Sequence, residues 1–520
     1  MNSRSDISND RASVEHSNDF RVFLALLFGF YLLILEPILR ANRYYNDDLK
    51  RSLFGRTGWD SNGRPLTTLL MKVLQCYDHA LVDISPLTQI GAISILAYIG
   101  MVIGRKYAIG SPTATALVAF PLGAQPFFLE NLSYKFDALS MSVAMMLCLL
   151  PVLSLGRTRR DFWLGAASLF AGLNFYQPAI NVYFIFVILE IALYFLERTQ
   201  PAKLFKQVGW RVLQAATAMA VYQMIVGIHI NGWVKQKSET IHSFDQLHLL
   251  GKNLLDYFRF FSTGFNAHWW LYFGPFLIVL GLTPVVVAVR YWINREPSGR
   301  SWDTAVAVML CVALPAIGLV CIPGPMIALV DPLIVPRVFP GVGALLAAAL
   351  ILLHCTLQTW NFSKSWSLLL GGVLALGMGT IASAYGNAST AQKAFEDHIA
   401  SHLSDDLAAV TQSRSLRGYL IVGEAGYAPI TQHIVDQLPI VESLVPKYLQ
   451  GDNTFLTHNF LSYYIHELSD LRRKSDVFSP QRIAIIAAQS ECSIRVSSAA
   501  SYDINVVEDV AVITLHSSKQ

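Results

Sequence analysis

Apolar stretches of 16 to 23 residues recur along most of this 520-residue chain and break only at short polar connections. About 20 apolar residues in a helix cover a hydrocarbon core of about 30 Å, and a helix satisfies its own backbone hydrogen bonds there. The spacing therefore predicts a mainly α polytopic membrane protein. Its spans are expected at 22–39, 86–104, 112–129, 137–155, 162–177, 179–196, 212–228, 267–289, 304–322, 338–358 and 366–385, eleven in all. Composition agrees, with 53% apolar and 14% charged residues. The net charge of +3 carries little information, because in such a chain the distribution of charge between loops matters more than its sum. Nothing supports nucleic-acid binding.

Lys and Arg next to spans accumulate on the cytoplasmic side, which fixes orientation. Arg4, Arg11 and Arg21 precede the first span. Arg105-Lys106, Arg157/Arg159/Arg160, Arg198/Lys203/Lys206/Arg211, Arg290/Arg295/Arg300 and Lys364 then fall in every second connection. Residues 1–21 are thus expected as a cytoplasmic tail, 22–385 as the membrane domain and 386–520 as an external domain, periplasmic in a Gram-negative cell. The N-terminus lacks a short apolar core followed by a small-residue cleavage site, so the first span is expected to be retained. The external tail changes character. A helical stretch at Ala391–Thr411 and strand-like runs at Gly418–Gly423, Arg482–Ala488 and Ile504–Leu515 predict a small α/β domain.

The first external loop, 40–85, is where chemistry is expected. It opens with Arg40-Ala-Asn-Arg-Tyr-Tyr-Asn-Asp47-Asp48 and continues through Arg56, Trp59, Asp60 and Asn62 to Arg64. Its basic residues sit on the side that the charge rule disfavours, which suggests phosphate ligands. Adjacent carboxylates flanked by cations can supply a base for a hydroxyl proton and a clamp for an anionic leaving group. The bland alternative is a solvated connection. Pro65–Val82 shows helical spacing and is expected to lie along the interface.

A second cluster, Gln125-Pro-Phe-Phe-Leu-Glu130-Asn131-Leu-Ser-Tyr-Lys135-Phe-Asp137, falls on the same face. Unpaired ionisable groups at a membrane edge are costly, so these are functional candidates; the structural alternative pairs Lys135 with Glu130 or Asp137. Further outward pieces include Tyr176-Gln177-Pro178 with Asn181, the loop from His229 to Ala267, and Arg337, whose guanidinium can hold two phosphate oxygens. Cys76 and Cys492 could pair in an oxidising compartment, although no spacing pattern supports it. No zinc-type His or Cys spacing is present, and no metal or cofactor is expected.

These residues carry a family resemblance. Tyr45-Asn-Asp-Asp48, Arg56-Thr-Gly-Trp59, Asn62-Gly-Arg-Pro-Leu-Thr, Pro86-Leu-Thr and Pro126-Phe-Phe-Leu-Glu-Asn-Leu-Ser-Tyr-Lys-Phe-Asp137 with Ser140-Met141 resemble the glucosyl transferase II family, the integral-membrane serotype-converting enzymes of temperate phages and bacterial O-antigen clusters. The resemblance implies a GT-C-like fold in the bacterial inner membrane. It implies transfer of glucose from undecaprenyl phosphate to a sugar of the O-antigen of lipopolysaccharide on the outer face of that membrane. A small flippase and a cytoplasmic enzyme that charges the lipid carrier are the implied partners. Asp47 or Asp48 would take the role of the acidic residue near the acceptor hydroxyl. Arg56, Arg64, Lys135 and Arg337 are the expected donor-phosphate ligands. Tyr45, Trp59, Asn62, Glu130, Asn131 and Asp137 are the expected sugar or acceptor contacts. A single-step displacement would invert the anomeric centre. Two other readings compete: a transporter or flippase of lipid-linked sugars, with ionisable residues at mid-membrane, and a non-catalytic polysaccharide-assembly protein.

Overall fold

In the computed structural model, residues 3–76, 79–197, 200–295, 301–465, 485–486, 488–489 and 495–517 are described. They form two compact units, one of residues 1–37 with 57–383 and one of residues 38–56 with 384–520. The expected loop 40–85 is therefore shared: its carboxylate-bearing start belongs to the second unit and everything from Thr57 to the first.

The first unit is helical. Among the described residues, eight helices of the chain are long and apolar enough to cross a membrane: Arg21–Ala41, Leu87–Lys106, Gln177–Leu196, Pro201–His229, Ala267–Ile293, Trp302–Cys321, Pro340–Thr359 and the first part of Ser365–Ser413. The other three expected spans are also helical but shorter. Ala138–Leu153 has 16 residues and Arg159–Phe175 has 17, about 24–26 Å at 1.5 Å per residue. The expected span 112–129 is interrupted: an apolar helical run Pro112–Ala124 gives way, across Gln125 and Pro126, to a separate short helix Phe128–Ser133. Proline cannot donate its amide and disfavours helix in the residue before it, so Pro126 marks the break.

Helix starts follow local chemistry. Ser111, Asn266 and Ser301 each accept a backbone N–H three residues on, and Thr158 with Asp161 forms a reciprocal capping box. The helices Leu87–Lys106, Ala138–Leu153, Ile180–Leu196 and Pro340–Thr359 bury most of their residues. Leu33, Val212, Ile278, Val286, Met309 and Leu376 instead expose large apolar side chains, as lipid-facing surfaces do. Close packing at Pro340–Thr359 relies on Gly343, where an added Cβ would lie 2.2 Å from the Pro121 carbonyl oxygen.

The second unit continues the helix Ser365–Ser413 into a four-stranded sheet of β1 (Gly418–Gly423), β2 (Arg495–Ala499), β3 (Tyr502–Val507) and β4 (Val510–Leu515). The order is β1-β4-β3-β2, with β1 and β4 parallel and the other pairs antiparallel. The expected single run Ile504–Leu515 is a hairpin, turning at Glu508 with φ 54°. Of the expected strand Arg482–Ala488, only 485–486 and 488 are described, and they are helical. Cys492, Arg198 and Arg300 lie outside the described residues, so the Cys76–Cys492 pairing lies outside them too.

The short helix Asp47–Phe54 puts Leu49 into the core of this unit, beside Ile399, Leu403, Tyr419, Tyr448, Ile504 and Ile513. Arg43 donates to Glu396 and to the Pro446 carbonyl, both at 2.6 Å, and stacks on the Tyr448 ring. The Tyr45 hydroxyl donates to the Leu444 carbonyl at 2.9 Å. The loop start is thus built into the C-terminal sheet unit.

Candidate functional site

The two adjacent carboxylates differ in setting. Both open the helix Asp47–Phe54, where the exposed amides of a helix N-terminus favour negative charge. Asp48 is 0% exposed, and its Oδ2 accepts the Tyr45 amide at 3.4 Å. The Asp47 side chain is 47% exposed and stands 3.9 Å from Arg51 Nη1. A base must reach its proton. Asp47 has that access, while Asp48 shapes the chain before the helix. Arg56, also in this unit, is exposed.

In the first unit the remaining expected site residues converge. Residues 59–64 form a tight turn, with a short 3₁₀ segment at Asp60–Asn62 and Gly63 in the left-handed region at φ 73°. The buried Trp59 donates from Nε1 to Asp137 Oδ1 at 2.7 Å. Arg64 stands 3.8 Å from the same oxygen, donates from Nε to Gln177 Oε1 at 3.0 Å, and lies over the Tyr176 ring at 4.8 Å. Gln177 in turn donates to the carbonyls of Asn62 and Gly63 and to the Tyr222 hydroxyl, which donates to the Gly63 carbonyl at 3.0 Å.

Arg337 is held in a parallel way. Its backbone N–H and Nη1 donate to the two oxygens of Glu130 at 2.7 and 2.8 Å, Nη1 also meets the Tyr134 hydroxyl, and the guanidinium lies over the Tyr134 ring. Tyr176 links the two arginines, receiving Arg64 on its ring and donating its hydroxyl to the Arg337 carbonyl at 2.6 Å. Asn131 donates to that carbonyl too, at 3.3 Å. Burial pushes the Glu130 carboxyl above the usual range, with the Arg337 charge opposing that rise. Lys135, 7% exposed at its side chain, pairs with Asp83 at 3.4 Å.

Each expected phosphate ligand of this unit thus already faces a carboxylate: Arg64 with Asp137, Arg337 with Glu130, Lys135 with Asp83. Paired in this way, partly buried cations are held in fixed orientation without the full cost of isolated charge. The two arginine side chains keep 20% exposure each. Directly along the chain lies an apolar cavity of about 770 Å³, lined by Phe127, Phe261, Phe265, Trp269, Leu346 and Met378 among others, with Arg259 its charged member. Phe127 sits three residues before Glu130, and its ring packs 5.4 Å from that of Phe339, two residues after Arg337. Phe127, three residues before Glu130, and Val342, five residues after Arg337, both line the cavity, so the chain runs from the polar cluster into the cavity wall within a few residues.

The sequence model of the glucosyl transferase GtrII family matches residues 37–348, more than half of the chain. The chain belongs to the glucosyl transferase GtrII family. It is also 26% identical over 455 residues to an uncharacterized 55.3 kDa protein in the gtrB 5′ region of Salmonella phage P22, covering 84% of this chain and 89% of that protein. No solved structure matches. Family membership makes the chain a glycosyltransferase with membrane helices, and the matched range contains both the Asp47–Asp48 pair and the whole Arg64–Arg337 cluster.

Sequence reasoning missed Asp83, Tyr222 and the role of Tyr134. Only the tertiary fold brings Asp83 to Lys135, Tyr222 to the turn and the Tyr134 hydroxyl to Arg337. It also missed a network inside the helices: Arg211 donates through Nε and Nη2 to both oxygens of Glu190 at 3.0 Å, and Gln207 donates to Glu190 at 3.0 Å. A single Glu inside the apolar run Ile180–Leu196 was the available signal.

Proposed function

We propose that this GtrII-family protein moves a glucosyl residue from undecaprenyl-phosphate-glucose to a sugar of the O-antigen at the periplasmic face of the inner membrane. The reading rests on family membership together with one observation: two arginines, each set between a carboxylate and a tyrosine ring, with the Glu130–Arg337 pair only a few residues along the chain from Phe127 and Val342, which wall a large apolar cavity. A polyprenyl phosphate presents that combination of needs, an apolar chain and a phosphate whose charge grows as the sugar leaves.

In this reading Asp47 removes the proton from the acceptor hydroxyl. Arg64, Arg337 and Lys135 absorb the charge of the departing phosphate. Asp137, Glu130 and Asp83 hold those cations in place, and Trp59 and Asn131 fix the carboxylate and the backbone at either end. Asp48 keeps the turn that presents Asp47. Attack by the hydroxyl on the anomeric carbon, with the polyprenyl phosphate leaving from the opposite side, inverts that centre.

The test is transfer of labelled glucose from undecaprenyl-phosphate-glucose to purified O-antigen by reconstituted protein, with linkage analysis of the product. Labelled polysaccharide of inverted configuration supports the reading, and retention removes the single-step mechanism. The buried Glu190–Arg211 pair is the feature that would suit passage of a lipid-linked sugar instead. Flipping of the donor without transfer would favour that alternative.

A further inference from the structure

The second unit contains a pocket of about 150 Å³ formed between the helix Ser365–Ser413, the start of the first external loop and the segment around Phe460–Tyr464. Four charged side chains reach it: Arg43 and Lys393, Glu396 and Asp397. Two cations face two carboxylates, so the pocket is close to neutral and does not favour a phosphate or other anion. Lys393 and Asp397 are one helical turn apart and paired at 2.9 Å, and both remain about a third exposed. The Tyr464 hydroxyl donates to the other Asp397 oxygen at 2.8 Å. The rest of the wall is aromatic. Tyr44 and Tyr463 stack at 5.8 Å with an interplanar angle of 21°, and Tyr448, Phe460 and Tyr464 continue the surface.

This chemistry suits a pyranose ring. Aromatic faces accept the apolar C–H face of a sugar, while a carboxylate oxygen and an ammonium beside each other take and give hydrogen bonds to adjacent hydroxyls. The pocket is too small and too polar for a polyprenyl chain. It is formed in part by Tyr44 and Leu49, and Leu49 belongs to the same short helix that carries Asp47. We infer that this pocket is a subsite for a neutral sugar unit of the acceptor polysaccharide, with Asp397 and Lys393 binding its hydroxyls and the tyrosines of the wall carrying its ring. The inference rests on the proposed transfer reaction for its choice of polymer. It gives the C-terminal unit the task of holding acceptor rather than donor.

The test uses the full chain in nanodiscs. The probe is O-polysaccharide released by mild acid from purified lipopolysaccharide, followed both by saturation-transfer NMR and by transfer kinetics. Asp397→Asn and Lys393→Gln keep side-chain size at a surface-accessible pair, and Tyr44→Ala removes the stacking face. Loss of one well-placed hydrogen bond to a bound hydroxyl is worth about tenfold in affinity. The expected result is an acceptor KM raised about tenfold in each variant, with kcat and donor KM little changed and the saturation-transfer signal weakened in parallel. Unchanged acceptor KM and signal in folded variants would overturn the inference while leaving the transferase reading intact. If the wild type transfers nothing yet binds polysaccharide, and the variants lose that binding, the subsite stands and the transferase reading fails. No polysaccharide binding by a wild type that does transfer glucose would also overturn the subsite.

Discussion

Arg337 gives two hydrogen bonds to one carboxylate, its backbone N–H to Glu130 Oε2 and its guanidinium to Oε1, so that Glu130 fixes both the position and the orientation of the arginine. Removing one partner of a buried pair leaves the other uncompensated, at a cost of about 3–5 kcal/mol when burial is complete. Arg337 keeps 20% exposure, which places Glu130→Ala at about 2–3 kcal/mol. Thermal unfolding in detergent should show the lower midpoint of Glu130→Ala.

The same carboxyl sets a pH dependence. Burial raises its folded-state pKa above the unfolded value, so the folded chain binds the proton more tightly than the unfolded one. This contribution to stability is full below the unfolded value and is lost as pH rises through the folded one. The thermal midpoint of the wild type relative to Glu130→Gln should therefore fall as pH climbs through that window. A relative midpoint that rises instead would reverse the sign.

Gly63 holds the turn that presents Arg64. Its φ of 73° and the Tyr222 hydroxyl 2.4 Å from an added Cβ leave no room for a side chain. Left-handed backbone alone costs a non-glycine residue about 1–2 kcal/mol, and displacement of Tyr222 adds to that. Gly63→Ala should lower the unfolding midpoint and reduce transfer. Tyr222→Phe, which loses only a hydroxyl that bonds Gly63 and Gln177, should cost about 1 kcal/mol.

Trp59→Phe keeps an aromatic ring in the core formed with Met71, Leu81 and Phe136 and removes only the N–H donated to Asp137. A hydrogen bond to a charged group contributes about 1.5–3 kcal/mol. With Asp137 less well held, Arg64 is expected to bind phosphate more weakly. Donor KM should rise more than kcat falls, which transfer kinetics at varied donor concentration will read.

Period and length made the long apolar helices legible, and the helix at Ala391–Thr411 was legible as well, though not its continuity with the last apolar helix. The break at Pro126 was present in the sequence but was outweighed by the apolar residues around it. The hairpin at Glu508 was read as one run because only Glu508 and Asp509 separate its two strands and neither is a glycine. At the site, residue types and their clustering were legible: Trp59, Arg64 and Asp137 do meet, as do Glu130 and Arg337. Pairing was not, since Lys135 joins Asp83 from a segment 52 residues away. Nor could sequence distinguish Asp47 from Asp48, because adjacent residues of one type are separated only by which side of a helix the core covers.

That distinction is also the most direct test. Asp47→Asn and Asp48→Asn, each reconstituted at equal amount, are to be compared with wild type for glucose transfer from undecaprenyl-phosphate-glucose to O-antigen, alongside their unfolding midpoints. The account predicts that Asp47→Asn folds like the wild type and transfers about 10²–10⁴-fold more slowly, the usual contribution of a positioned base. It predicts that Asp48→Asn unfolds earlier while the folded fraction keeps most of its rate. Full transfer by folded Asp47→Asn would contradict it.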